Sequence, residues 1–194
     1  MSGDGTRVFV LDGEDLVRGR IMVPLRYLVA IPHYIWLGIF RLFVLLALPF
    51  NWLITVIMGR QPTLLYEFLS GYIRYRSDVL SYLTLLADPY PGFAAARSYP
   101  VETWVPSSQP ASRVSYLFRP ILVLPAAIVV HLAEFVLIAL TIVGFFASII
   151  LGRMPGGLQR LGLMILRLIG ETSGYAFLIQ RKYPSIAPRS GERF

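Results

Sequence analysis

The hydrophobic run YLVAIPHYIWLGIFRLFVLLALPFNWLITVIM, residues 27–58, decides the fold class of this chain. It exceeds the roughly 20 apolar residues that a helix needs to cross the hydrocarbon core of a bilayer. A second run of the same character covers residues from about 117 to 151. Together the two runs predict an all-α integral membrane protein.

The composition of the chain supports a membrane setting. Apolar residues make up 56% of the chain and charged residues 15%, and the mean hydropathy is +0.63. The formal net charge of +7 comes mostly from arginines at the ends of the apolar runs. This distribution favours anionic lipid headgroups as partners and argues against nucleic acid. The chain has no cysteine, so neither a disulfide nor a thiolate metal site is expected.

The N-terminal segment gives no sign of export. Residues 1–19 include Asp4, Asp12, Glu14 and Asp15, and no secretory signal peptide can be recognised among them. The internal apolar runs are therefore expected to drive insertion. We expect a multi-pass protein of the cell membrane whose N-terminus lies in the cytoplasm.

The two halves of the chain repeat each other. Shifting the sequence by 93 residues, the difference between 113 and 20, aligns 20–91 with 113–184 without a gap. Similar composition alone does not place arginine, glycine, proline and tyrosine in register, so we infer a tandem duplication. The predicted order is a polar segment 1–19, repeat 20–91, linker 92–112, repeat 113–184 and basic tail 185–194. The matching landmarks are Arg20/Arg113, Arg26/Arg119, Pro32/Pro125, Gly59/Gly152, Arg60/Arg153, Pro62/Pro155, Arg74/Arg167, Tyr82/Tyr175 and Tyr90/Tyr183.

Each apolar run has two interpretations. One is a single long transmembrane helix that begins near Pro32 or Pro125, where proline suits a first turn. The other is a tight hairpin that enters and leaves the membrane on one face. The interiors contain Pro49 and Gly144 but no turn cluster, which favours the single helix. Basic residues on both flanks of both runs favour hairpins under the positive-inside bias, and we slightly prefer hairpins.

An amphipathic helix is predicted after each run. In residues 63–86, apolar and polar side chains occupy opposite halves of a helical wheel, with Arg76 as the exception. Residues 156–179 have a narrower polar stripe. Such helices are expected to lie in the membrane interface. The residues spaced by four that form the expected interfacial stripe are Arg74, Asp78 and Tyr82 in one copy and Arg167, Glu171 and Tyr175 in the other.

Four arginines at equivalent positions are candidates for contact with lipid phosphate. They are Arg60 and Arg74 in the first copy and Arg153 and Arg167 in the second. A guanidinium fork suits phosphate oxygens, so the four could form a cradle for an anionic headgroup. A solvated stripe without a ligand is the simpler interpretation.

Ionisable residues within the apolar runs are candidates for function. A charge in lipid costs at least a few kcal/mol and marks a function or a partner. Arg41 and Glu134 are equivalent positions, so they are predicted to pair between the copies or, with His131, to line a polar path. Arg41 can instead snorkel to the interface. His131 and Glu134 alone are too few ligands for a metal site. The fourth ionisable residue within the apolar runs is His33.

Short motifs resemble a family of bacterial membrane proteins. They are Ile31-Pro32-His33-Tyr34, the turn from Gly59 to Pro62, and the stretches from Tyr82 to Leu85 and from Tyr90 to Phe93. The chain resembles, in two tandem copies, the family called Domain of Unknown Function 4389. Copy two departs from the pattern at Ala126 and Ile186. The resemblance implies a bacterial inner membrane and a repeat architecture, and it brings no activity.

No catalytic motif and no cofactor site is recognised in the sequence. We therefore expect a non-catalytic membrane scaffold or accessory subunit. It would associate laterally with a larger membrane protein complex, with itself or with anionic lipid. Two alternatives remain open: a small ion channel or carrier that uses Arg41, Glu134 and His131, and a membrane-shaping hairpin protein.

Overall fold

A computed structural model describes residues 7–10, 22–93, 99–106 and 112–185 of the chain. The helical fold class is confirmed, and two strands form an antiparallel ribbon that the sequence patterns do not predict. Most of the predicted segment 1–19 and of the predicted tail 185–194 lies outside the described residues. The elements are β1 (Arg7–Val10), α1 (Met22–Val29), α2 (Ile31–Met58), α3 (Thr63–Leu83), β2 (Val101–Trp104), α4 (Arg113–Leu151) and α5 (Gly156–Ala176).

Each hydrophobic run lies in one long helix without a hairpin turn, except that residues 27–29 of the first run belong to α1. α2 has 28 residues with Pro49 inside it, and α4 has 39 residues with Pro120 and Pro125 inside it. The preferred hairpin interpretation is therefore wrong. A tight turn needs a cluster of residues such as glycine, asparagine or aspartate, whereas an isolated proline removes only one backbone hydrogen bond and can be accommodated within a long helix. Each helix is long and apolar enough to cross a membrane.

The sequence duplication is also a duplication of backbone structure. α3 and α5 begin and end at positions that differ by 93 residues, as do the C-terminal ends of α2 and α4. Each long helix ends at a glycine in the left-handed region, Gly59 at φ 73° and Gly152 at φ 70°. Glycine suits this position because it carries no Cβ. Leu85 and Leu178, which are equivalent, have φ values of 63° and 66°.

The two long helices run antiparallel. Near the end of α2, Trp52 Nε1 donates a hydrogen bond of 3.0 Å to the carbonyl of Tyr116, near the start of α4. Near the other end, the rings of Tyr27 and Phe145 lie 6.0 Å apart. α3 folds back along α2, so that His33 Nδ1 lies 2.7 Å from the Tyr75 hydroxyl. His33 is thereby a packing residue rather than part of a polar site.

The helices form two layers, and the ribbon lies against the inner one. α2 and α4 are largely exposed, because only 17% of the most apolar window of each is buried. More than half of the residues of α3 and of α5 are buried. The two inner helices contact each other, α2 and α4 pack on one side of them, and the ribbon packs on them as well. α3 and α5 are therefore core helices, and protein covers much of their polar sides, although Glu67, Arg74 and Arg160 are exposed.

Candidate functional site

The three residues predicted to form a polar path line one cavity between the copies. Arg41 projects from α2, and His131 and Glu134 project from α4. The cavity has a volume of about 520 Å³, and residues of α3 and α5 line it as well. Since α2 and α4 form its walls, we call it the charged cleft. The remaining basic residue in its lining is Arg76 of α3.

The predicted ion pair between Arg41 and Glu134 is not the one that forms. Arg76 Nη2 lies 2.7 Å from Glu134 Oε1, and His131 Nδ1 lies 3.1 Å from Glu134 Oε2. The copies are thus joined by an ion pair, as expected, but Arg76 supplies its cation. The reason is that α3 lies beneath the cleft and presents Arg76 to α4. The sequence signal was the placement of Arg76 on the apolar half of its helical wheel.

The repeat explains why Arg41 has no ion-pair partner among the described residues. Adding 93 to Arg76 gives Ile169, and adding 93 to Arg41 gives Glu134. The contact equivalent to the pair between Arg76 and Glu134 is therefore one between Ile169 and Arg41. Ile169 carries no charge, so Arg41 gains no ion-pair partner there. Both of these residues line the charged cleft. No ion pair joins Arg41 to any residue in the described part of the chain.

An apolar cavity adjoins the charged cleft. It has a volume of about 700 Å³ and is lined by α1, α2, α3, α4 and α5. Its walls include Ile138, Phe145 and Phe146 of α4. The residues that line both cavities are Tyr34, Leu80, Glu134 and Ile169. Because they share these residues, the two cavities are neighbours, one lined by charged groups and the other almost wholly apolar.

The four arginines predicted to cradle lipid phosphate do not form one site. Arg60, Arg74 and Arg153 are exposed, but Arg167 is only 1% exposed. The Arg167 guanidinium donates a hydrogen bond of 3.2 Å to the carbonyl of Ser185 and lies 3.8 Å from a Glu171 carboxylate oxygen. Arg167 is unavailable to a headgroup because α5 packs inside the protein.

The predicted interfacial stripe is not solvated, apart from Arg74, which is exposed. Asp78, Tyr82, Glu171 and Tyr175 are all buried, with at most 7% of each residue exposed. Burial raises the pKa of the Asp78 carboxyl to about 7, and the charge of nearby Arg74 partly opposes this shift. The stripe was misread because hydropathy alone does not reveal that other segments of the chain cover the polar side of α3.

The two tyrosines of that stripe anchor a contact that occurs in both copies. The Arg26 guanidinium lies 4.6 Å from the centre of the Tyr82 ring, and the Arg119 guanidinium lies 4.7 Å from that of Tyr175. Each arginine also donates a hydrogen bond to a backbone carbonyl five residues beyond its tyrosine. Cation–π contacts of this kind become stronger when water is excluded. The backbone acceptors are Ala87 at 3.2 Å and Gln180 at 2.9 Å.

A second contact between the copies occurs at two equivalent places, one of which is polar and the other apolar. Asn51 Nδ2 and Gln61 Nε2 donate to the carbonyl of Phe177, at 3.0 Å and 2.9 Å. Gln61 Nε2 also lies 3.0 Å from Asn51 Oδ1. The equivalents of Asn51 and Gln61 are Gly144 and Met154, which pack together beside Leu85. The copies have therefore diverged where they meet.

Comparison with known proteins identifies a family and nothing closer. The model of a family described as a domain of unknown function, DUF4389, matches residues 20–95 and again residues 113–187. Neither the curated proteins nor the solved structures contain a match to the chain. Among the residues that the structure describes, no group of three or more histidine, aspartate or glutamate side chains is arranged to hold a metal ion.

Proposed function

The chain belongs to the DUF4389 family, of which it carries two tandem copies, and we propose that it is a non-catalytic integral membrane scaffold. In this proposal α2 and α4 lie in one leaflet of the bacterial inner membrane, on its cytoplasmic side. Through these helices the protein associates laterally with another membrane protein. The observation that carries the proposal is the course of the ribbon along the inner helices.

The exposed faces of the long helices support embedding in lipid. Large apolar side chains that water would solvate poorly cover α2 and α4. Contiguous exposed apolar patches above a few hundred Å² are rare on soluble monomers and mark membrane or partner contacts. Representative exposed residues are Leu42, Phe43, Leu46 and Phe50 on α2 and Phe135, Ile138 and Phe146 on α4.

The course of the ribbon is evidence against a transmembrane orientation of these helices. The Tyr99 hydroxyl donates to the carbonyl of Pro89, just beyond the end of α3, at 2.8 Å. Seven residues later, the carbonyl of Pro106 accepts from the hydroxyl of Tyr66, at the start of α3, at 3.0 Å. An extended segment of this length spans about 23 Å. The strand therefore runs beside α3 for most of the length of that helix.

An upright molecule would place this ribbon in the hydrocarbon. A two-stranded ribbon has open edges, and each unsatisfied backbone group in lipid costs several kcal/mol. Moreover, α4 is about 58 Å long at 1.5 Å per residue, against a hydrocarbon thickness of about 30 Å. Lying in the membrane plane avoids both penalties, because α2 and α4 face the acyl chains and the ribbon faces water. This orientation takes the place of the multi-pass topology in our proposal.

Two matched positions distinguish the orientations. Arg60 and Arg153 are repeat equivalents at opposite ends of the helical layers, and both are exposed. In the cysteine-free chain, Arg60→Cys and Arg153→Cys would be treated with a membrane-impermeant maleimide from either side. Embedding in one leaflet predicts labelling of both from the cytoplasmic side. Labelling from opposite sides would establish an upright molecule, and Leu46→Cys serves as the lipid-facing control.

Lateral association has a separate test. A photoreactive amino acid would be placed at Leu46, Phe50 or Phe135, with Arg60, an exposed residue of the turn after α2, as the control. A single cross-linked product of defined mass from one helix face supports a specific neighbour. If every position yields lipid adducts alone, and the solubilised protein is a lone monomer, the scaffold proposal fails.

Ion passage is the second candidate, and the charged cleft favours it. Arg41, Glu134 and His131 line this one cavity. A molecule confined to one leaflet offers no path across the bilayer, so this candidate requires the upright orientation. Ion flux in proteoliposomes that disappears in Glu134→Gln would support it. The absence of flux over a range of monovalent ions would reject it.

A further inference from the structure

We propose that the space between α2 and α4 is a binding site for an anionic single-chain amphiphile, a long-chain carboxylate of the fatty-acid type. Its carboxylate would lie in the charged cleft on Arg41, and its acyl chain would fill the adjoining apolar cavity. The inference rests on the membrane setting of the proposed function, but it does not depend on which orientation the long helices adopt.

The charge balance of the cleft calls for an anion. Two guanidinium groups, those of Arg41 and Arg76, face one carboxylate, that of Glu134. Arg76 is held by Glu134 at 2.7 Å, which leaves one uncompensated positive charge even when His131 is neutral. An unpaired charge beside hydrocarbon is costly, and a ligand carboxylate removes that cost. The planar fork of arginine matches a carboxylate through two parallel hydrogen bonds.

The shape of the space fits an acyl chain. The apolar cavity of about 700 Å³ and the charged cleft of about 520 Å³ share four wall residues. Volumes of roughly 300–1,000 Å³ are usual for small-ligand sites. Arg41 of α2 and His131 of α4, which line the charged cleft, are exposed, so the cleft is open on the face formed by α2 and α4. That face carries the exposed apolar side chains of α2 and α4, so an amphiphile can enter from the acyl-chain region of a membrane.

The experiment measures binding of cis-parinaric acid, a fluorescent fatty acid, to the purified full chain in a non-ionic detergent. Oleate and oleyl alcohol, which have the same chain, compete for the site. We expect oleate to displace the probe at least about tenfold better than the alcohol, the factor that corresponds to roughly 1.4 kcal/mol. In Arg41→Gln this preference should disappear, whereas Arg60→Gln, a matched exposed arginine outside the cleft, should keep it.

A second variant tests the part of the site that would hold the acyl chain. Ile138→Trp places a bulky ring in the apolar cavity and leaves every charge in the cleft, so it should weaken oleate and oleyl alcohol equally. Equal binding of oleate to wild type and Arg41→Gln would overturn the proposal, as would equal competition by the acid and the alcohol. Stronger competition by a two-chain anionic phospholipid than by oleate would overturn the choice of a single-chain ligand.

These outcomes are separable from those of the proposed function. Maleimide labelling decides the orientation and cross-linking decides lateral association, both in the native membrane. Fatty-acid binding is read on the isolated protein. Arg41 is exposed and makes no ion pair within the described residues, so Arg41→Gln is expected to fold. Unchanged circular dichroism and thermal unfolding of that variant verify this point.

Discussion

Replacing Asn51 by alanine tests how much the polar inter-copy contact contributes to stability. Asn51 is 1% exposed, donates to the carbonyl of Phe177 at 3.0 Å and accepts from Gln61 at 3.0 Å. Asn51→Ala removes both hydrogen bonds and leaves a small cavity. At about 0.5–1.5 kcal/mol for each bond, we expect the free energy of unfolding to fall by about 2–3 kcal/mol.

The loss is limited because one hydrogen bond survives. Gln61 Nε2 still donates to the carbonyl of Phe177 at 2.9 Å, so that acceptor stays satisfied. Combining Asn51→Ala with Gln61→Ala removes this bond as well. Since the two side chains touch, the double variant should depart from additivity by about 0.5–3 kcal/mol.

Equilibrium unfolding in mixed detergent micelles measures these differences. Leu53→Ala is the control, because Leu53 lies two residues away on the same helix with half of it exposed. We expect the control to lose much less stability than Asn51→Ala. If Asn51→Ala unfolds within about 0.5 kcal/mol of the wild type, the size of an ordinary surface effect, the polar contact does not hold the copies together.

Two further changes test packing and burial. Gly144→Ala should destabilise by about 1 kcal/mol, because the added Cβ would lie 2.9 Å from Sδ at the flexible end of the buried Met154 side chain, which must shift. Gly38→Ala meets nothing within 4 Å and should stabilise helix α2 by about 0.5–1 kcal/mol, so thermal unfolding that ranks the two variants the other way contradicts the packing. Burial raises the pKa of Asp78 from 3.8 to about 7. The folded state therefore binds the proton more tightly, and stability falls as pH rises from about 4 to about 7, by at most about 4 kcal/mol. Asp78→Asn should remove this part of the pH dependence, and an unchanged pH profile would argue against a buried carboxyl.

The local features of the fold were predictable because they depend on residues close together in the chain. Gly59 and Gly152 end the long helices because each adopts a left-handed conformation, which glycine tolerates, and Pro62 and Pro155 then precede the inner helices. The register of the repeat follows from the same landmarks, and family matches at 20–95 and 113–187 confirm the duplication. The hairpin interpretation failed because it weighed flanking charge above the missing turn residues.

The partners of the charged residues were not predictable in the same way. The sequence determined that Arg41 and Glu134 occupy equivalent places in two copies, since periodicity and register are properties of the chain itself. Only the tertiary structure decided that Arg76, 58 residues before Glu134, takes the carboxylate and leaves Arg41 over. It also decided that Asp78 and Glu171 are buried. Such contacts depend on which helices pack together, and hydropathy, which counts each residue by itself, contains no information about its distant neighbours.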